Sequence, residues 1–575
     1  MDNLRFALGV SLAFILFLMY QAWQIDYNKQ PPPQVSNTSN ESNIPVVNNP
    51  ETTTTDNETP LISAVAGNSE SPSNLVPESR NDNKQRILKT TQRVVVETDV
   101  LKLEIDTVGG DIRLLDLREY TKSTEDQTPT RLMNDVMPDI FVAQSGLLGT
   151  GANITHDTVY QADKNNYQLN DNADTLEVEL QVKVNDLLVK KIYHFKRGSY
   201  IVKITHRVEN QGVADWNGRL YGQLQRNPPS VAGSRFLYTY TGGAVSSPEN
   251  LYQKIDFDDI ADGGKDSRVA KDGSLIANTQ DNWQGGWVAL LQHYFVSALV
   301  PDKDENYYYY TKALSQGERY VLGLYGSSHL IKSGENQDFN FQFYAGPKIQ
   351  KDLKELASGL ELTVDYGILW FIAQPLYWTL SFLHSILGNW GWAIIFVTLL
   401  IKLMFFQLSA KSYTSMANMR RLQPRLAALK DRYANDRMGL NKAMMDIYKK
   451  EKINPLGGCL PVLVQIPVFI ALYWTLLESV ELRQAPFMLW INDLSVADPY
   501  FVLPLLMGIS MFIQQKLNPA PLDPLQQKVM MLLPFIFTVF FAFFPAGLVL
   551  YWVVNNSLSI VQQWYITKNI AGETL

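Results

Sequence analysis

The sequence predicts a polytopic α-helical membrane protein that carries a large β-sandwich outside the cytoplasm. Three observations predict it. Apolar residues concentrate at positions 6–23 and again after 366. Between them, residues 86–345 carry stretches in which apolar and polar residues alternate, the period of half-buried strands. A basic segment then interrupts the apolar C-terminal third: residues 409–454 hold 11 Lys+Arg against 4 Asp+Glu. The positive-inside rule places such a segment in the cytoplasm. The average composition of the 575 residues, 46% hydrophobic and 19% charged, hides this division.

Residues 6–23 form an apolar run of spanning length once its flanks contribute. The small-x-small pattern of a signal-peptide cleavage site is missing, since Met19, Tyr20 and Trp23 are bulky. Residues 1–27 are therefore expected to be an uncleaved transmembrane anchor. Residues 28–85 are dominated by Asn, Thr, Ser, Pro and Glu. Such a stretch cannot bury enough surface to offset its ordering entropy, so it reads as a disordered tether.

The sandwich is expected over residues 86–345. Leu101, Leu103 and Ile105 alternate with charged residues ahead of a Gly109-Gly110 turn. Leu176, Val178, Leu180, Val182 and Val184 alternate strictly. Residues 26–350 hold 31 Lys+Arg against 42 Asp+Glu. This acidic balance argues against DNA or other nucleic acid as a partner of the domain.

Residues 346–389 read as interfacial helices. Leu353, Leu356 and Leu360 recur at helical spacing over 351–361. The run 366–387 carries Trp370, Tyr377 and Trp378, aromatics that favour a membrane surface. Gly388-Asn389 breaks this run, and 390–408 follows as a span. The segment 409–455 is a basic helical hairpin. Met416, Met419, Leu422, Leu426, Leu429 and Tyr433 make one stripe, and Leu440, Met444 and Ile447 a second. Four further spans, at 457–477, 500–514, 529–544 and 547–566, fill residues 456–567, and 568–575 form a tail. A cytoplasmic hairpin permits only one crossing between it and the outer domain. The total is six spans with both termini in the cytoplasm.

Several chemistries are excluded at this level. The single cysteine, Cys459, cannot form an intrachain disulfide. The sequence has no HExxH, no CxxC and no Walker loop, so neither a metal hydrolase nor an ATPase finds support, and no cofactor is expected. A secondary transporter would require paired inverted repeats, which are not visible. Trp283 and Trp287 could offer a carbohydrate platform on the sandwich, but no catalytic carboxylate pair accompanies them.

The last third carries the most specific motifs: NPLGGCLPVLVQIPVF at 454–469, VELRQAPFML at 480–489, DPYFVLPLLMGISM at 498–511, FPAGLVLY at 544–551, and SYTSM at 412–416. Together they resemble the YidC insertases of Gram-negative bacteria, within the YidC/Oxa/Alb family. The resemblance covers roughly residues 363–567, and the anchor, tether and β domain share the family's arrangement. It implies a bacterial inner-membrane protein without bond-making chemistry, which helps other membrane proteins insert and fold, alone or with the Sec translocon. It further implies a five-helix core enclosing a hydrophilic groove with one basic residue. That residue maps to Lys402, where the family usually has arginine, and Thr398 lies one turn earlier. A hydrophobic slide maps to Ile466, Phe469, Phe540 and Trp552. Gln407 replaces a proline common after the basic residue, so a straighter helix end is expected there. The chain also lacks the basic tail of many members, so only weak ribosome contact is implied.

The residues alone leave alternatives open. Lys402 fits a groove charge or a lysine snorkelling to the surface. Gln465, Asn555 and Asn556 fit a polar groove or interhelical hydrogen bonds. The slide residues fit lipid contact or plain core. Arg420, Arg421, Arg425, Lys430, Arg432, Lys449 and Lys450 fit a solvated face that fixes topology, or a face that also docks anionic phospholipids, ribosomal RNA or nascent substrate.

Overall fold

A computed structural model describes residues 88–228, 239–261, 283–314, 319–433, 436–451, 460–518 and 524–570. The anchor and tether expected over 1–85, Cys459 and the end of the C-terminal tail lie outside the described residues.

The β domain is built from two sheets. Among the described residues the larger contains eleven strands and is centred on Trp216–Arg226, Phe141–Gly149 and Asp111–Thr121. The smaller contains nine and is centred on Asn336–Pro347, Ile201–Asn210 and Leu187–Lys196. Nearly all pairings are antiparallel, as in Thr175–Val184 against Leu187–Lys196, where Val178 faces Tyr193. The alternation read from sequence selects the inward face. Leu101, Leu103 and Ile105 are buried, as are Val178 and Leu180, and one apolar core joins both sheets. Leu176, Val182 and Val184 pack at its margin. Gly109 takes φ +75°, and a Cβ there would lie 2.5 Å from the His156 carbonyl, so this turn requires glycine.

Trp287 is buried and donates its indole N–H to the Ser358 carbonyl at 3.1 Å, while Trp283 stacks on Tyr309 at 4.7 Å. Both rings are occupied by the fold, so the sugar platform considered for them is not formed.

Helix α1 (Gln350–Leu356) is shorter than the leucine spacing predicts. Gly359, at φ +83°, turns the chain against Leu251, and Leu360 enters a separate short 3-10 turn, Leu360–Thr363. Helix α2 (Trp370–Leu387) ends at Gly388 in the left-handed region. The Asn389 side chain then caps α3 (Trp390–Met404) by accepting from the Trp392 amide. Next come α4 (Phe406–Arg432), α5 (Arg437–Lys450), α6 (Leu460–Glu478), α7 (Val502–Leu517), α8 (Pro524–Phe541) and α9 (Ala546–Tyr565). A second core joins α2, α3, α6, α7, α8 and α9 around Ile394, Leu472, Met507 and Val549.

The axes of α3 and α4 meet at 67°. The straighter helix end expected from Gln407 is therefore not found. The break falls at Phe405, and the Gln562 side chain of α9 donates to the Phe406 carbonyl just past it at 3.3 Å. Among the described residues no single helix is both long and apolar enough to cross a membrane, whereas the bent pair α3–α4 passes by length and composition.

The β domain rests on the segment between α6 and α7. Arg483 donates to the carbonyls of Thr121 and Lys122, and Gln484 exchanges hydrogen bonds with Thr121. The His293 ring meets the Leu477 carbonyl at 2.9 Å, and buried Lys348 lies 3.8 Å from Glu478.

Candidate functional site

Lys402 stands in the last turn of α3, whose Ile394, Val397 and Ile401 are buried in the helical core. Its ammonium turns across to α9 and donates to the Ser559 hydroxyl at 2.7 Å. Ser559 in turn donates to the Asn555 carbonyl at 2.7 Å. The Tyr413 hydroxyl of α4 approaches the same serine. One helical turn back, the Asn555 side chain accepts from Gln465 of α6. Tyr551, Asn555 and Ser559 recur every four residues and share a face of α9, a polar track about 12 Å long. Among the described residues no carboxylate pairs with Lys402.

The remaining polar positions divide. Thr398 is buried and spends its hydroxyl on the Ile394 carbonyl of its own helix at 2.7 Å, so it faces the site without reaching Lys402. Asn556 donates to Ser510 of α7 at 3.1 Å, a hydrogen bond that ties two helices together. Ser559 and Tyr413 join the site without being singled out in the sequence. The four-residue spacing from Asn555 was a signal for Ser559, and the SYTSM motif contains Tyr413, but neither revealed which lysine they meet.

An aromatic wall adjoins this track. Phe469 of α6 meets the Trp552 ring edge-on at 4.6 Å, Trp552 lies 5.2 Å from Phe541, and Phe541 meets Phe540 at 5.4 Å. Three of the four residues mapped as a slide are thus joined through Phe541, and Ile466 is exposed three positions before Phe469 on α6.

The two stripes of the hairpin pack against each other through Leu422, Leu426, Leu440 and Met444. Arg420, Arg421, Arg425, Arg432, Lys449 and Lys450 are exposed and Lys430 is half-buried; Arg425 pairs with Glu451 at 3.0 Å. Among the described residues no group of three or more His, Cys, Asp or Glu could hold a metal ion.

The arrangement joins a half-buried cation, a polar track and an aromatic wall. Comparison with known proteins gives the family. Residues 93–379 match the family described as the YidC periplasmic domain, and residues 382–573 match the family described as 60Kd inner membrane protein. The chain is 48% identical to a membrane protein insertase YidC of Methylococcus capsulatus, covering 100% of this chain and 99% of that one. It is 47% identical to the corresponding protein of Nitrosococcus oceani, covering 100% of both. Among solved structures, an active YidC insertase with its first transmembrane domain resolved aligns at TM-score 0.38 and 15% identity, over 84% of this chain and 94% of that one. A galactose mutarotase related enzyme from Lactobacillus acidophilus aligns at TM-score 0.30 and 11% identity, over 44% and 97%. With two family matches that together run almost from the start of the β domain to the end of α9, and relatives nearly half identical over their whole length, the chain belongs to the YidC family of membrane protein insertases.

Proposed function

We propose that this chain inserts other membrane proteins into the bacterial inner membrane through a hydrophilic groove in which Lys402 is the receiving charge. The observation that carries the reading is a half-buried cation held between α3 and α9 by a neutral serine, with no carboxylate partner among the described residues. An intramembrane charge costs roughly 2.5–3.5 kcal/mol on the insertion scale, so it persists where a counter-charge or water visits. An acidic residue in the leading tail of a substrate supplies that counter-charge. The tail enters beside Lys402 and along the Ser559–Asn555–Gln465 track. The following apolar segment slides past Phe469, Trp552, Phe540 and Ile466 into lipid, where burial of its surface drives the step. No cofactor takes part.

In this reading the chain crosses the membrane six times, with both termini and the α4–α5 hairpin in the cytoplasm and the β domain in the periplasm. Nascent membrane proteins are its substrates, and it acts on them alone or with the Sec translocon. The exposed arginines and lysines of the hairpin meet anionic phospholipids and, weakly, the ribosome.

The test is insertion of two substrates that differ only in tail charge, with each variant at equal membrane abundance. Lys402→Arg inserts both. Lys402→Ala inserts the uncharged-tail substrate and fails with the acidic one, and Lys402→Glu fails more severely with the acidic one. A Lys402→Ala variant that inserts both as well as the parent would remove the groove-charge role.

A further inference from the structure

The segment joining α6 to α7 is inside out. Two of its three carboxylates, Asp493 and Asp498, point inward and are satisfied there; the third, Glu481, precedes them and accepts from the Tyr377 hydroxyl at 2.7 Å. Asp493, 8% exposed, accepts from the amides of Gln484 and Ser495 and from the Ser495 hydroxyl. Asp498, 1% exposed, accepts from the Trp490 indole and from the amides of Tyr500 and Leu503, the last at the start of α7. The outward positions are apolar apart from Asn492: Leu489 is 80% exposed, Tyr500 70%, Phe501 53% and Val496 51%. Among residues 485–501 no charged side chain is exposed. A loop facing water has the opposite arrangement.

The backbone holds this arrangement firmly. Leu489 and Phe501 take φ +58° and +55°, a region that bulky side chains disfavour. Backbone bonds from Phe487 to Ile491, from Leu494 to Ala485, and from Ala546 and Gly547 of α9 back to Val496 and Leu494 fix the loop on the helical core. Its other side is covered by the β domain through Arg483 and Gln484.

Two features identify what covers the outward face. Exposed apolar residues follow on the helices below: Phe501 leads into exposed Leu505 and Ile509 of α7, and Phe487 packs edge-on against exposed Trp392 of α3 at 5.7 Å. In addition, α7 has 16 residues, about 24 Å of helix, against roughly 30 Å of hydrocarbon. At its far end Lys516 marks the polar boundary, so the missing length falls on the side of Phe501.

We propose that residues 486–501 are seated among the acyl chains of the periplasmic leaflet, with Leu489, Tyr500 and Phe501 as the immersed side chains. The loop is a lipid-contacting collar around the outer end of the helical core, and the β domain sits on its upper side. This rests on the membrane placement proposed above but not on the role of Lys402.

The experiment measures depth, independently of insertion activity. In a Cys459→Ser background, Leu489→Cys, Tyr500→Cys and Val213→Cys chains are labelled singly with an environment-sensitive fluorophore. Each full-length protein is reconstituted into phosphatidylethanolamine–phosphatidylglycerol nanodiscs. Val213 is an exposed loop residue of the β domain and serves as the aqueous reference. Labels at 489 and 500 should be quenched several-fold less by iodide than the label at 213. They should also be quenched more by lipid carrying its nitroxide near the headgroup than by lipid carrying it at the chain end. Iodide quenching at 489 and 500 equal to that at 213 would place the loop in water and overturn the proposal. Protection from iodide together with indifference to both nitroxide lipids would mean that protein, such as a second copy of this chain, covers the face, and would overturn it equally. Agreement of two separate positions guards against one label that disturbs the fold.

Discussion

His293 should make the joint between the β domain and the helical core sensitive to acid. Its Nε2 faces the Leu477 carbonyl at 2.9 Å, so that nitrogen must carry the proton, and the neutral ring suffices. Burial, reinforced by the cations of Lys348 and Arg483, pushes its pKa down from 6.5 to about 4. The sign follows from proton linkage. When the joint opens, the ring regains its ordinary pKa, so the open state binds more protons between pH 4 and 6.5. The closed joint therefore has its full stability above about pH 6.5 and loses it as the pH falls toward 4. At pH 5 the loss is about 2 kcal/mol, which corresponds to a roughly 30-fold larger opening constant. The assay is hydrogen–deuterium exchange of the full-length protein in nanodiscs, followed at residues 479–496 and corrected for the intrinsic exchange rate at each pH. His293→Gln keeps an N–H for the Leu477 carbonyl but does not titrate, so its opening should change far less between pH 7 and 5. Superimposable pH profiles for parent and variant would refute the reasoning, because the remaining carboxylates are common to both.

Three further outcomes are expected. Arg483→Ala removes the guanidinium bonds to the Thr121 and Lys122 carbonyls, worth about 1.5–3 kcal/mol for a charged donor, and should raise exchange in the same segment about tenfold or more at pH 7. Gly508→Ala places a Cβ 2.0 Å from the Thr538 hydroxyl where α7 meets α8. It should cost about 1–3 kcal/mol, read as a lower thermal midpoint in detergent, and Thr538→Ala in the same chain should recover part of the loss. Photo-crosslinkers at Phe469 and Trp552 should trap a stalled nascent membrane protein, whereas one at exposed Leu505 on α7 should not; equal trapping at all three would leave the aromatic wall without a role in transfer.

The sequence by itself determined what depends on neighbours along the chain. Period-two alternation picked out Leu101, Leu103, Ile105, Val178 and Leu180 as inward-facing, because successive strand side chains take opposite faces wherever the strand lies. Leucine stripes four residues apart anticipated the contact between α4 and α5 for the same local reason. A lysine in an apolar run sets Lys402 apart because a charge among apolar residues is costly to bury, while its place as the groove charge came from the family resemblance. Only the tertiary structure decided where that ammonium goes. Its partner Ser559 lies 157 residues away, and the meeting depends on how α3 crosses α9 and on the bend at Phe405, which Gln407 gave reason not to expect. The joint at His293 and Arg483 and the reversed polarity of residues 486–501 were hidden for the same reason. Whether Asp498 points into the protein and Leu489 out of it is set by helices and sheets that pack on the loop from elsewhere in the chain, and no window of neighbouring residues carries that information.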